Sequence, residues 1–441
     1  MLLIPVRLAS LVNRLHDCRK ASKRKQAMRL FGNIHYGWFI VPIGTLTVFV
    51  ALGLGRFALG MLLPSMGASL ALSYDQMGYI STGNFVGYLG AVLLAGTFVR
   101  RLGARKAVAL GLFLVGFSML LVGQSGGFFT VLPLYVLTGA GSALANVQIM
   151  GLVSHWFARH VRGRAAGFMV IGSGFAIMFA GTVIPALNRS IGAEGWRTGW
   201  ALLGAVSLAG AALAYLVLRN HPEDMGFEPV GGAPPPLPPG EIPAPQISAK
   251  RFLAHLGAIY FLFGATYAVF ATFIVTTLVR DFAFSEAEAG RFWIWVGGLS
   301  LMSGPLFGML SDKLGRKIGL ALPYAMQACA YALVALHPDL WGVYLAIGLF
   351  GCSAWAVPGI MAVMVGDNLG PAMAVKGFGT ITIVFGMGQI VGPGLAGIIA
   401  QAHGNFTPAY WMISALACLA ILLTALLRAD RLKSKPLNGF D

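Results

Sequence analysis

Hydrophobic positions along the chain gather into long continuous runs. Twelve of these are long enough to cross a hydrocarbon core of about 30 Å. They cover residues 37–63, 78–99, 105–124, 128–154, 165–187, 198–218, 252–279, 292–311, 318–336, 341–365, 377–401 and 408–428. None alternates apolar with polar positions over ten residues, so a membrane β-barrel is excluded. The pattern predicts an all-α integral membrane protein with twelve transmembrane helices. Composition agrees: 57% of the 441 residues are hydrophobic and 10% are charged, where a soluble chain carries about 25% charged residues.

Basic residues supply the orientation. With the N-terminus in the cytoplasm, only Arg189, Arg197, Arg280 and Arg291 fall in outside loops, and Arg56 falls within a span. Every other Lys and Arg lies on the inner side, a strong positive-inside bias. The expected location is the cell (inner) membrane, multi-pass, with both termini cytoplasmic. The net charge of +16 is then topological. No nucleic-acid partner is expected, because these charges sit on short loops and tails and form no folded basic surface. Cys18, Cys329, Cys352 and Cys418 have neither metal nor disulfide spacing, so no metal and no cofactor is expected. An enzyme would need a nucleophile with a base, or a metal cluster, at one membrane face. The spans hold no acid and no paired histidines, and the chain reads as a non-enzyme.

Two segments lie outside the spans. Residues 1–35 begin "MLLIPVRLASLVNRL", too short to cross, followed by the densely basic "CRKASKRKQAMR". The stretch reads either as an amphipathic helix lying on the membrane surface or as an over-extended start, with translation beginning at Met28. Between spans six and seven runs "HPEDMGFEPVGGAPPPLPPGEIPAPQ", whose prolines favour a stiff extended tether and cannot continue a helix. The predicted organisation is a basic cytoplasmic extension (1–35), a six-helix bundle (36–219), a proline-rich cytoplasmic linker (220–250), a second six-helix bundle (251–428) and a cytoplasmic tail (429–441).

The two halves repeat at one offset. "GTFVRRLGARK" (96–106) lies 212 residues before "GMLSDKLGRKI" (308–318). Gly96 pairs with Gly308, Arg101 with Lys313, Gly103 with Gly315 and Arg105 with Lys317. The same offset pairs Gly78 with Gly290, Arg164 with Lys376, Gly167 with Gly379 and Gly174 with Gly386. A register kept over separate segments marks an internal duplication. Two pseudo-symmetric six-helix bundles are the plan of a rocker-switch transporter, with its site between the halves near the midplane.

On these residues the chain resembles the major facilitator superfamily over about residues 36–430. The family's loop pattern Gly-x-x-x-Asp-Arg/Lys-x-Gly-Arg-Arg/Lys is matched by Gly308, Asp312, Lys313, Gly315, Arg316 and Lys317. More narrowly, "GLGRFALGMLLPSM" and "YFLFGATYAVFATF" resemble the YbfB-type prokaryotic branch, and more loosely the oxalate/formate and monocarboxylate carriers. The resemblance implies the major facilitator fold and alternating access. It also implies that these two loops close the cytoplasmic side. The first copy departs from the pattern, with Arg100 at the acidic position. Two gate contacts of opposite sense are therefore expected: Arg100 with Asp367, and Asp312 with Arg162 or Arg164.

Span one poses the functional question. In "FVALGLGRFALGMLLPSM" (49–66), Arg56 lies roughly 9 Å past the middle of the span at about 1.5 Å per residue. An arginine at a helix centre costs about 2.5–3.5 kcal/mol to insert. All fifteen acidic residues map to loops, tails or span ends, and the repeat mate of Arg56 is Ala268. Three fates remain open for the guanidinium: backbone carbonyls and water satisfy it, it snorkels to the membrane edge, or an anionic ligand answers it. Its planar fork suits a carboxylate. Other lining candidates come from the spans that the family places around its site: Asn84, Tyr88, Asn146, Gln148, Tyr260, Tyr267, Phe270, Trp293, Trp355 and Gln389. Each of these also suits plain helix packing. Tyr267 shares the level of Arg56, since its repeat mate is Gly55.

The reading is a secondary active transporter carrying a small organic anion, with a carboxylate foremost. Its alternatives are an exporter of neutral or amphipathic compounds with Arg56 structural, and a transporter-like sensor that binds without translocating. Expected partners are the small-molecule substrate, the lipid bilayer and a proton as co-substrate, riding on the acid itself or on His255. The chain is expected to be a monomer.

Overall fold

Caps and turn residues, not the ends of the apolar runs, decide where the helices stop. The computed structural model describes residues 35–232, 249–337 and 339–427, the side chains at 159, 371 and 372 excepted. The basic extension before residue 35, the proline-rich middle of the linker and the C-terminal tail predicted above lie outside the described residues. Among the described residues eleven long helices follow one another: α1 (Gly37–Ser69), α2 (Tyr74–Val122), α3 (Phe128–Trp156), α4 (Arg159–Ile191), α5 (Gly195–Val217), α6 (Ala249–Arg280), α7 (Glu286–Leu314), α8 (Arg316–Ala335), α9 (Leu340–Ser353), α10 (Ala356–His403) and α11 (Thr407–Leu426). The apolar runs set α4 and α7 to begin near 165 and 292, but both start about two turns earlier. In α7, Ser285 accepts from Glu288 N and Glu288 Oε2 accepts from Ser285 N, a reciprocal cap that fixes the first turn among polar residues.

The eleven described helices make twelve crossings because two glycines each break a long helix in two, while α9 and the first part of α10 together form one span. α2 has 49 residues, about 73 Å at 1.5 Å per residue, more than twice the hydrocarbon thickness. At Gly103 its backbone turns to φ 74°, ψ 158°, and α10 turns at Gly370 with φ 71°, ψ 169°. Residues with a Cβ rarely adopt that conformation. Gly315, the repeat mate of Gly103, separates α7 from α8 at φ 90°, ψ 154°. Span ten is interrupted as well: α9 stops at Ser353 and α10 restarts at Ala356, with Trp355 capping the restart and its N–H donated to Ser303 Oγ (3.1 Å). The first bundle is α1–α5 and the second α6–α11.

One end of the molecule carries the broken turns at Gly103, Gly315 and Gly370, with most of the basic residues; the other, far end carries the α1–α2, α4–α5 and α6–α7 loops. The halves meet toward the far end. A Cβ added at Gly181 of α4 would lie 2.7 Å from Gly290 O of α7, and one at Gly60 of α1 the same distance from Ala271 O of α6. Bare backbone is what lets these helices touch. The repeat shows in the packing itself. Gly78 meets Pro393 O as Gly290 meets Gly181 O, and Gly386 meets Leu89 as Gly174 meets Leu301, each contact reproduced 212 residues along the chain. Polar bonds complete the seal: Ser81 Oγ with Thr272 Oγ1 (2.9 Å), Thr82 Oγ1 to Ile390 O (2.8 Å), Tyr74 N to Gln401 Oε1 (3.0 Å) and Asn188 Nδ2 to Glu286 Oε2 (2.5 Å). In the α4–α5 loop, Glu194 is held below the usual carboxylate range by bonds from Arg197 and then Ser69, which tie that loop to the end of α1.

This geometry makes the α4–α7 crossing a steric switch. Gly290→Val drives a branched side chain into the Gly181 carbonyl and should hold the far end apart. A cysteine placed by Thr272→Cys, buried within the seal, should then react with an impermeant maleimide from the far side about tenfold faster than in the Gly290 parent. Equal labelling rates would show that the crossing does not close that end.

Candidate functional site

A widened turn of α1 carries the charge. Residues Phe49–Phe57 form a π-helical stretch between two α-helical segments, and such inserted turns reorient side chains and recur at functional sites. Gly53 and Gly55 press it onto Ala176 of α4 and Ser142 of α3. Asn84 Nδ2 of α2 donates to Gly55 O (3.1 Å) and Tyr135 O (3.3 Å), and Tyr135 OH donates to Arg56 O (3.3 Å). The backbone on either side of Arg56 is therefore fixed by α2 and α3.

The Arg56 side chain reaches across to the second half, where Nη1 donates to Tyr267 OH of α6 at 3.5 Å. Its guanidinium lies over the rings of Phe85 (4.7 Å) and Tyr88 (4.5 Å). Nε and Nη2 are buried without a hydrogen-bond partner. Among the described residues no Asp or Glu forms an ion pair with it. Desolvated cation–π contacts are worth about 2 kcal/mol each, enough to offset the insertion cost. They do not replace two charge-assisted hydrogen bonds. Arg56, Asn84, Tyr135, Tyr267, Ser81 and Thr272 line a cavity of about 10 Å³ just inside the far-end seal.

The other predicted lining residues divide. Gln389 donates to Tyr267 OH, and Asn146 Nδ2 donates to Tyr88 OH (3.0 Å), so both support residues that touch Arg56. Tyr260 joins a near-parallel stack with Phe385 (4.4 Å, 15°), continued by Tyr267 on Phe385 (5.9 Å, 8°). Trp355 sets its ring against Phe57 (5.1 Å) and Tyr267 (5.8 Å), with Nε1 unpartnered. Trp293, buried and with its Nε1 also free, lies under Gly60. Two residues fall elsewhere. Gln148 donates to Ala95 O (3.2 Å) and joins α3 to α2. Phe270 stacks on Phe350 (4.0 Å) and meets Tyr331 and Tyr410 inside the second bundle; its place on the α6 surface turns it away from Arg56, and that expectation is corrected. Phe57, Phe85, Tyr135 and Phe385 were not anticipated. Phe85 and Tyr88 stand i,i+3 on one helix face, a spacing readable beforehand. The π stretch has no sequence signature.

At the basic end the expected gate pairs are not formed. Asp312 and Asp367 both bind Arg316, the latter at 3.0 Å from Nε, within the second half. Arg162 donates to Ser154 O (2.8 Å), and Arg100 to Thr97 Oγ1 (3.3 Å), within the first. Arg101, Arg164 and Lys313 are exposed and Lys317 is half-buried, and Cβ atoms added at Gly163, Gly167, Gly308 or Gly366 would meet nothing. This end is open. Arg105 is fastened to Tyr215 O (2.6 Å), with its backbone N–H on Asn220 Oδ1 (2.9 Å). That bond ties the Gly103 turn to the root of the linker. His255 Nε2 meets Leu423 O (2.9 Å), an anchor between α6 and α11.

Comparison with known proteins gives three kinds of likeness. A family model described as "Uncharacterised MFS-type transporter YbfB" matches residues 48–425. The hexuronate transporter of Bacillus subtilis is 24% identical over 396 residues, covering 84% of this chain and 89% of that protein. Monocarboxylate transporter 11 of Mus musculus is 24% identical over 422 residues, 88% and 86% of the two chains. Among solved structures, a bacterial homologue of the lysosomal transporter Spinster, inward-facing and unoccupied, superposes with a TM-score of 0.69 at 16% identity, covering 90% of this chain and 96% of that one.

The site's construction makes Asn84 the support of the widened turn. Asn84→Leu removes two hydrogen bonds and should destabilise the protein by about 1–3 kcal/mol, read as a lowered melting temperature in detergent. An unchanged melt would mean that the π stretch is held by packing alone.

Proposed function

The chain belongs to the major facilitator superfamily, in its YbfB-type branch, and from that membership we propose a secondary carrier of a small organic anion, foremost a carboxylate, working by alternating access. The observation that carries the reading is Arg56: a guanidinium in the lipid-spanning region whose Nε and Nη2 are buried and unpartnered. A carboxylate offers two oxygens at the spacing of that fork. Both relatives described above are named for acids, a hexuronate and a monocarboxylate, which supports the same class.

The geometry suggests how binding is coupled to movement. Arg56 belongs to the first half and Tyr267 to the second, and their only direct tie is a long bond of 3.5 Å. An anion held by Arg56 competes with that bond and with the Phe85 and Tyr88 faces on which the cation rests. Binding thus changes the contact between the halves, and this differential interaction is what a ligand needs to shift a conformational equilibrium. We assign the basic end to the cytoplasm by the positive-inside rule, in the cell (inner) membrane of a monomeric carrier with both termini inside. The described conformation is then inward-open. We propose the domain limits that the apolar runs and the proline-rich linker set, bundles at 36–219 and 251–428. Arg100 and Asp367 belong to opposite rims of the open end and are proposed to pair when it closes, as are Asp312 and Arg162 or Arg164. The Arg56 layer holds no carboxyl group, so a co-transported proton would ride on the weak acid.

The test is uptake of labelled mono- and dicarboxylates into proteoliposomes. Wild type should accumulate at least one acid, Arg56→Ala should lose about tenfold or more of that flux, and Arg56→Lys should lie between. Flux of a neutral compound that survives Arg56→Ala would favour the exporter. Saturable binding with no flux would favour a sensor.

A further inference from the structure

The two acid relatives differ in what surrounds the carboxylate, and the described site discriminates between a polyhydroxylated body and a flat one. Resting on the anion reading above, we infer that the substrate is a monocarboxylate with a planar, aromatic or conjugated body, and that Tyr88 and Trp355 are the residues that select it.

Three observations converge. Arg56 is the sole cation of its layer, since every other described Lys and Arg lies in a loop or at a helix end, so one negative charge is matched and a second would be buried unpaired. Most polar donors around it are committed already: Ser81 to Thr272, Gln389 to Tyr267, and the amide nitrogens of Asn84 and Asn146 to Gly55 O and Tyr88 OH; the atoms left free besides the arginine, Asn84 Oδ1, Asn146 Oδ1 and the Trp293 and Trp355 indole N–H groups, are too few and too scattered to meet hydroxyls along a whole sugar chain. A sugar acid brings a hydroxyl on nearly every carbon, and each one buried without a partner lowers affinity by about tenfold. Flat apolar faces, by contrast, stand on both sides. Phe85 and Tyr88 carry the guanidinium on the first half, and the parallel Tyr267–Phe385–Tyr260 stack stands on the second. Trp355 closes the rim. It caps the break in span ten, lies edge-on to Tyr267 at 73°, and keeps a buried, unpartnered indole N–H that can meet one ring oxygen. Interrupted helices near the midplane are where transporters of this architecture bind their cargo, and here a break in each half, the π turn of α1 and the Trp355 turn, brings Phe57 against Trp355 at 5.1 Å.

The experiment uses the purified full chain and five probes: benzoate, propionate, glucuronate, phthalate and the neutral benzamide. Each is titrated against thermal stability, since a ligand that binds only the native fold raises its melting temperature. Benzoate should act at about tenfold lower concentration than propionate, glucuronate or phthalate, and benzamide should be inert. Tyr88→Leu and Trp355→Leu should each bring benzoate to within about threefold of propionate, the two acids being compared on the same variant. Should glucuronate or propionate match benzoate in wild type, the flat-body inference is overturned while the anion reading stands. Should benzamide equal benzoate, or should no acid act, or should Arg56→Gln leave the benzoate response unchanged, the anion reading fails and takes this inference with it.

Discussion

A guanidinium held in the lipid-spanning region without a counter-charge is the constraint around which the rest of the structure is arranged. Arg56 cannot be left bare in hydrocarbon, and among the described residues no acid pairs with it. The protein compensates with aromatic faces, a tyrosine hydroxyl from the opposite half and a backbone locked by Asn84 and Tyr135. These contacts are strong enough to keep the residue in place and leave two of its donors unused. An incomplete set of partners is what a carrier requires. A fully paired arginine would be structural, and a fully solvated one would give no selectivity.

The position of Arg56 along the bundle matters as much as its chemistry. Immediately beyond it the halves are sealed by glycine-mediated backbone contacts and a few hydrogen bonds; on the other side the gate charges bond within their own halves. The residue thus sits at the floor of the open side. Glycine contacts suit this role because they form over small areas without side-chain interlocking, so two backbones can part and meet again. The reproduction of these contacts 212 residues apart shows that the duplication governs the interface between the halves as well as the fold of each.

Much of this was legible from the chain. The apolar runs give the twelve crossings, and Gly103 and Gly315 occupy equivalent turns as the repeat required. The absence of acids from the spans makes Arg56 an unmatched charge in the sequence itself, and the repeat places Tyr267 at its level. What escaped has particular causes. Helix ends set by caps, as at Ser285, run past the hydrophobic stretch. The azimuth of a side chain on a buried helix, as for Phe270, is invisible when every face of that helix is apolar. The π stretch leaves no periodic trace in so short a segment, and the sequence does not say that Asp312 and Asp367 both choose Arg316 of their own half.

The most direct measurement is a structure of the protein with an organic acid bound. The account requires the carboxylate oxygens at about 2.7–2.9 Å from Arg56 Nε and Nη2, with the Arg56–Tyr267 bond broken or bridged by the ligand. An acid seated elsewhere, with Arg56 still resting on Phe85, Tyr88 and Tyr267, would contradict it.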